Sequence, residues 1–97
     1  MDIRVSGHQL DTGAALRTHV ETRLNAIKDK YFANALSAQA TVGRAPHDRF
    51  SCDIVVHVMQ GLILKAHGED VDAHLEFDSG AEKIEKQLRR YMRRLQD

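Results

Sequence analysis

The last quarter of the chain carries a single apolar stripe at helical spacing, and this stripe limits the folds open to it. At about 100° of rotation per residue, seven apolar side chains fall on one side of a helix and the lysines and arginines on the other. A helix with one apolar stripe buries one side only. We therefore predict a helix over residues 72–96, with Asp72 as its N-cap. Its stripe consists of Phe77, Ala81, Ile84, Leu88, Tyr91, Met92 and Leu95.

A second stripe of the same kind lies near the start of the chain. Its members recur at spacings of four, four, three and four residues, which predicts a helix at about 12–31. Asp11 or Thr12 is placed to cap this helix. The stripe consists of Leu16, Val20, Leu24, Ile27 and Tyr31.

Four segments favour strands. Residues 35–44 alternate with period two, so that Leu36, Ala38, Ala40 and Val42 share a face. Gly43–Asp48 is interpreted as a connection because it holds the only proline, and Gln60-Gly61 as a tight turn. The register of that hairpin stays open, since a slip of one residue would exchange its faces. The predicted strands are Ile3–Ser6, residues 35–44, Phe50–Met59 and Leu62–His67.

The order of these elements is β-α-β-β-β-α. Two helices with one stripe each can cover one face of a four-stranded sheet, so we predict an α+β fold with both helices on the same face. Ninety-seven residues suit one domain, 1–97. Gly80 lies inside the last helix, where glycine lowers the stability of the helix by about 1 kcal/mol relative to Ala. A glycine at such a position is explained if another element packs closely against the helix there, so we expect a close packing contact at Gly80.

Composition argues against several classes of function. No apolar run approaches the roughly 18 residues of a membrane span, and the start of the chain lacks the order of a signal peptide, so we expect a cytoplasmic protein. The single cysteine, Cys52, lies among apolar residues and has no partner for an internal disulfide. The six histidines lack metal-ligand spacing, and the glycines form no phosphate-binding loop. We predict no catalytic site, no cofactor and no metal, and hence a protein that is not an enzyme.

Charge is strongly sorted along a chain whose formal net charge is zero. Glu69–Glu82 contains six acids and no lysine or arginine, whereas Lys83–Arg94 contains six bases against Glu85. The helix dipole favours such an order, but its effect fades within about one turn. It therefore accounts for bases in the last turn and not for Lys83 or Lys86.

Two interpretations of the remaining basic charge stay open, a solvated helix face and a nucleic-acid surface. The first helix adds basic residues, and if the helices lie side by side their outward faces form one basic surface with a groove between them. No series of exposed aromatics follows the strands, so recognition would be of phosphate and backbone shape. The basic residues of the first helix are Arg17, Arg23, Lys28 and Lys30.

Several segments in this order resemble the ribosome hibernation-promoting factor family, the ribosome-associated inhibitors once called sigma-54 modulation proteins. They are IRVSGHQLDTGAALRTHVETRL, KYF, the hairpin CDIVVHV…G…LKA, and KIEKQLRRYMRRL. The resemblance implies a β-α-β-β-β-α fold similar to double-stranded RNA-binding domains. It also implies binding between the head and body of the small ribosomal subunit, over the mRNA and tRNA sites, in stationary phase or stress. Basic residues of the two helices would contact ribosomal RNA.

The family's helix patterns assign rRNA contact to six positions of this chain, and chemistry alone adds four more. The pattern at the start of the last helix departs from the family's Asp followed by Tyr-Ala-Ala-Ile-Asp, because His74 replaces the tyrosine and Glu76 adds charge. The six positions are Arg17, Arg23, Lys83, Lys86, Arg89 and Arg90, and the four are Lys28, Lys30, Arg93 and Arg94.

The leading hypothesis is thus a translation inhibitor that competes with mRNA and tRNA. The alternatives are a general double-stranded RNA-binding module without ribosome preference, and a protein-interaction module with sorted charges. By resemblance, the chain is either a short member or the N-terminal domain of a long member that carries a further domain.

Overall fold

The computed structural model describes residues 2–7, 13–31, 35–58 and 61–96, and its elements follow the predicted order. The two helices and four strands form one layer of helices on one sheet. In chain order they are β1 (Asp2–Gly7), α1 (Ala14–Lys30), β2 (Ala35–Ala45), β3 (Arg49–Val58), β4 (Ile63–Asp70) and α2 (Ala73–Gln96).

The sheet has the strand order β1-β2-β3-β4. β1 runs parallel to β2, and the other neighbours are antiparallel. The β3–β4 register, which the sequence left open, pairs Val56 with Leu64 and Cys52 with Gly68. This register places the buried residues of both strands on the same face, and a slip of one residue would expose them.

The core lies between that face and the apolar stripes of both helices, as predicted. The described members of each stripe are buried along most of its length, and Tyr31, Tyr91 and Met92 are partly buried at the ends. The buried residues are Leu16, Val20, Leu24, Ile27, Ala38, Ala40, Val42, Cys52, Ile54, Val56, Val58, Leu64, Phe77, Ala81, Ile84 and Leu88.

Two predicted strand ends were wrong. β2 continues one residue beyond the predicted 35–44, to Ala45, so the first part of the predicted connection Gly43–Asp48 belongs to the strand, and β4 continues three residues beyond His67 to Asp70. Both extensions follow from strand pairing, because the ends of β2 and β4 pair with the first residues of β3. The turn between β2 and β3 is short, and His47 and Asp48 adopt positive φ there.

The helix starts were predicted in part. Oδ1 of Asp72 accepts hydrogen bonds from the backbone N–H of His74 (2.8 Å) and Leu75 (3.2 Å), which confirms it as the N-cap of α2. These bonds lower the pKa of the Asp72 carboxyl. α1 begins after Gly13, whereas Asp11 and Thr12 lie outside the described residues, as do Met59 and Gln60.

Gly80 makes the predicted close packing contact, and it does so against another glycine. A Cβ at Gly68 in β4 would overlap the carbonyl oxygen of Glu76 and lie 2.7 Å from the amide nitrogen of Gly80. A Cβ at Gly80 would lie 2.9 Å from Cδ1 of Ile54. The backbone of α2 therefore rests directly on β4, and this contact sets the height of the helix above the sheet.

Candidate nucleic-acid interface

The outward side of α2 carries an exposed row of cations that we call the α2 basic ridge, defined as Lys86, Arg90, Arg93 and Arg94. Their spacings of four, three and one residues keep them on one side of the helix, and all four side chains are exposed. Ile84 and Leu88, on the opposite side, are buried. Among the described residues, no carboxylate forms an ion pair with the ridge, so its charge faces solvent along about 12 Å of helix.

Lys83 lies beside the ridge but has a structural contact. Its ammonium group donates a hydrogen bond to the carbonyl oxygen of His67 in β4. One turn later, Gln87 donates to the carbonyl oxygen of Lys65 at 2.7 Å. β4 is an edge strand, and its unpaired carbonyls would otherwise be open to pairing with another chain. Lys83 thus caps this edge as well as adding positive charge next to the ridge.

Three further predicted cations converge on one carboxylate between the helices. Glu85 of α2 accepts contacts from Arg23 (3.4 Å) and Lys30 (3.2 Å) of α1 and from Arg89 (3.4 Å) of its own helix. The hydroxyl of Tyr31 donates to the same carboxylate at 3.1 Å. We call this cluster the Glu85 clamp.

The clamp holds its carboxylate ionised. Burial opposes ionisation of Glu85, whose side chain is 13% exposed, but hydrogen bonds from Lys30 and Tyr31 and the charges of Lys30 and Arg23 outweigh it and lower the pKa. The same contact with Glu85 raises the pKa of Lys30. The expected basic groove between the helices is thus bridged by ion pairs. Three cations against one carboxylate leave the seam positively charged.

Arg17 and Lys28 lie on the other flank of α1. Arg17 is exposed and lines a groove along β1 together with Arg4 and Glu21. Lys28 follows Arg17 by eleven residues, about three turns, and so lies on the same flank, with its ammonium 3.7 Å from Asp29. The ten predicted RNA-contact residues therefore form a ridge, a clamp, an edge cap and a separate flank.

The structure also brings together histidines that are far apart in sequence. Nε2 of His19 in α1 lies 2.8 Å from Oδ1 of Asp78 in α2, and the rings of His19 and His74 are 4.9 Å apart. Nothing in the spacing of these residues signals the contact, because it depends on how the helices dock. Within the described ranges, no three His, Cys, Asp or Glu side chains are placed to hold a metal ion.

A family model described as "Sigma 54 modulation protein / S30EA ribosomal protein" matches residues 3–96 of the chain, which include both helices and all of the strands except the first residue of β1. The chain belongs to this family. The resemblance drawn from the helix and hairpin segments is thereby confirmed, and the α2 basic ridge lies inside the matched region of this S30EA domain.

Curated relatives of the S30EA domain carry ribosome-related names. A "Ribosome hibernation promotion factor" of Rhizobium meliloti is 37% identical over 97 residues, covering 100% of this chain and 50% of the relative. A "Ribosome hibernation promoting factor" of Azotobacter vinelandii is 31% identical over 90 residues, covering 91% of this chain and 79% of the relative. The chain spans about half the length of the Rhizobium relative and 47% of a similar one from Bradyrhizobium diazoefficiens.

Solved structures share the fold of this S30EA domain. The N-terminal domain of Thermus thermophilus Protein Y superposes with a TM-score of 0.81 at 23% identity, covering 94% of this chain and 99% of the other. A ribosomal subunit interface protein from Coxiella burnetii superposes with a TM-score of 0.82 at 24% identity, covering 94% of this chain and 97% of the other. These matches confirm the predicted fold class. In the parts of the chain that the structure describes, no helix is both long and apolar enough to cross a membrane.

Proposed function

We propose that this chain is the ribosome-binding domain of a hibernation factor, and that residues 1–97 act as one such unit. The observation that carries the proposal is the α2 basic ridge, an exposed row of four cations on an S30EA-family domain. Phosphate contacts by Lys and Arg supply most of the affinity of shape-directed RNA binding. The names of the relatives support a ribosomal target.

The site we propose is the decoding channel of the small ribosomal subunit in the cytoplasm, where the domain would exclude mRNA and tRNA under stress or in stationary phase. Inhibition would follow from occupancy alone, without catalysis. The ridge would contact rRNA phosphates directly, and Arg17 and Lys28 would contact them from the other flank. Arg23, Lys30 and Arg89 would add positive charge while Glu85 holds them in place, and Lys83 would act beside the capped edge of β4.

The test is sedimentation with small subunits across a salt series, using Lys86→Glu combined with Arg90→Glu. We expect binding of the unmodified chain to weaken steeply with salt, and the double variant to lose at least tenfold in affinity. Its salt dependence should also become shallower by roughly one unit for each rRNA phosphate that the variant no longer neutralises.

The matched control is Arg44→Glu combined with Lys65→Glu, which makes the same charge change at exposed positions of the sheet outside the proposed interface. It should bind nearly as well as the unmodified chain. Undiminished binding by the ridge variant would contradict the proposed interface. Displacement of bound protein by mRNA and initiator tRNA tests the channel, and equal affinity for a random RNA duplex would instead indicate a general duplex binder.

A further inference from the structure

Glu76 is the one charged residue among the described positions that is fully buried, with 0% of its surface exposed. Neither carboxylate oxygen has a hydrogen-bond partner. It lies near the start of α2, on the flank that faces β4, where the backbone of the helix contacts Gly68. A buried ionised carboxylate without partners is strongly disfavoured, whereas the protonated form is tolerated at lower cost.

The titratable groups around Glu76 oppose its ionisation for the most part. Asp70, at the end of β4, and Asp72, the N-cap of α2, are both acidic, and His67 of β4 is the one group that favours the charged form. On β3, the thiol of Cys52 is also close enough to interact with Glu76. Burial first, and then the two aspartates, raise the pKa of Glu76 to about 8.

We propose that Glu76 is a proton-dependent latch, which holds the start of α2 on the sheet while it carries a proton and releases that part of the helix when it ionises. Local opening at a helix end next to a loop costs less than unfolding the whole domain. Two aliphatic side chains at this end, Val71 and Leu75, are already exposed and add little to hold it closed. The device is a property of this chain, because Glu76 departs from the family pattern, and it stands independently of ribosome binding.

The direction of the pH effect follows from proton linkage. The closed form binds the proton more tightly than the open form, in which Glu76 has an ordinary pKa near 4.5. Raising the pH from that value towards 8 therefore favours opening, by up to about tenfold per pH unit. Above pH 8 both forms are ionised and the effect levels off.

Cys52 provides a reporter for the opening. It pairs with Gly68 in the sheet, is fully buried, and is the only cysteine in the chain. Burial, and then the charges of Glu76 and Asp53, raise the pKa of its thiol to about 12. In the closed form it should be inert, because the thiolate is the reactive species. Its reaction with a disulfide reagent therefore measures the open fraction, after correction for the rate of the urea-unfolded chain at the same pH.

The experiment compares the unmodified chain with Glu76→Gln and with Glu82→Gln, an exposed glutamate on the same helix, between pH 5 and 9. We expect the open fraction of the unmodified chain and of Glu82→Gln to rise with pH, and that of Glu76→Gln to stay flat. A parallel carbon-NMR titration of the Glu76 carboxyl in the unmodified chain should give a midpoint well above 4.5 and no higher than about 8, because opening on ionisation draws the observed midpoint below that of the closed form. A midpoint near 4.5, or identical pH profiles for all three proteins, would overturn the latch. The NMR titration decides the question alone if Glu76→Gln does not fold.

Discussion

At the scale of single residues, Glu85 does more to join the helices than any other described acid. One carboxylate receives Arg23 and Lys30 from α1 and Arg89 from α2. Exposed ion pairs contribute little to stability, but this carboxylate is largely shielded from water and accepts several contacts at once. We infer that the clamp fixes the angle at which α2 presents its ridge.

Glu85→Gln should therefore weaken the fold. The amide keeps the shape and an acceptor for Tyr31, but it loses the charge that holds the three cations. We expect the free energy of unfolding to fall by about 1 kcal/mol, a small value because Lys30 and Arg89 can turn to water. Urea unfolding at pH 7 measures it, and Glu82→Gln is the control, with an expected change within about 0.5 kcal/mol. An equal loss in both variants would count against the clamp.

The clamp also has its own pH signature, opposite to that of Glu76. The folded pKa of Glu85 lies below its ordinary value of about 4.5, so the contribution of the clamp is complete above that pH and is lost as the pH falls through the folded pKa. Acid therefore weakens the Glu85 clamp, while it keeps the proposed Glu76 latch closed. The two residues act in separate pH windows.

At the scale of elements, the contact between α2 and β4 depends on two glycines with different neighbours. Gly68 faces backbone atoms of Glu76 and Gly80, which cannot move without lifting the helix. Gly80 faces the end of the Ile54 side chain, which can rotate. The same added methyl group should therefore have unequal effects at the two positions.

Gly68→Ala should destabilise the domain by at least about 2 kcal/mol, because overpacking against backbone forces the elements apart. Gly80→Ala should have a smaller effect, since about 1 kcal/mol gained in helix propensity offsets the strain on Ile54. Thermal unfolding followed by circular dichroism gives both values. Equal losses would mean that the helix does not rest on β4 as closely as described.

Much of the fold follows from the sequence at this scale, because each helix stripe and each alternating strand needs a covered face. The ends of β2 and β4 could not be predicted from the sequence, since polar residues such as Glu69 and Asp70 join a strand only where a partner strand extends beside them. The burial of Glu76 was also missed. Its charge argued for solvent, and only the close approach of α2 over Gly68 removes it from water.

Some features of the candidate site could likewise be predicted from the sequence, and others could not. The exposure of the α2 basic ridge could be predicted from helical spacing, since a position opposite Ile84 and Leu88 must face outward. The Glu85 clamp and the capping role of Lys83 could not, because both depend on contacts between elements distant in sequence. A count of charges along the chain treats all ten cations alike. Their ion-pair and hydrogen-bond partners in the folded domain separate the cations that face solvent from those that hold the fold together.

At the scale of the whole molecule, charge runs from acidic to basic along α2, a helix of about 36 Å in a molecule 44 Å long. The acidic end lies where β4 ends and α2 begins and includes Glu69, Asp70 and the N-cap Asp72, and the basic end is the α2 basic ridge. If the ridge contacts rRNA phosphates, the acidic end must face away from them. A zero net charge therefore does not conflict with RNA binding, provided that the two ends are oriented apart.

The proposed orientation can be tested by adding the same charge at each end. Glu82→Lys places a cation on the outward side of α2 one turn before Lys86, and Glu69→Lys places one at the acidic end of β4, so each raises the net charge by two. We expect Glu82→Lys to tighten binding to small subunits several-fold and to steepen its salt dependence by about one unit, because it lengthens the ridge enough to reach one more phosphate. Glu69→Lys should leave affinity within about twofold. If both variants tighten binding equally in a sedimentation salt series, then affinity follows net charge and the ridge does not orient the molecule.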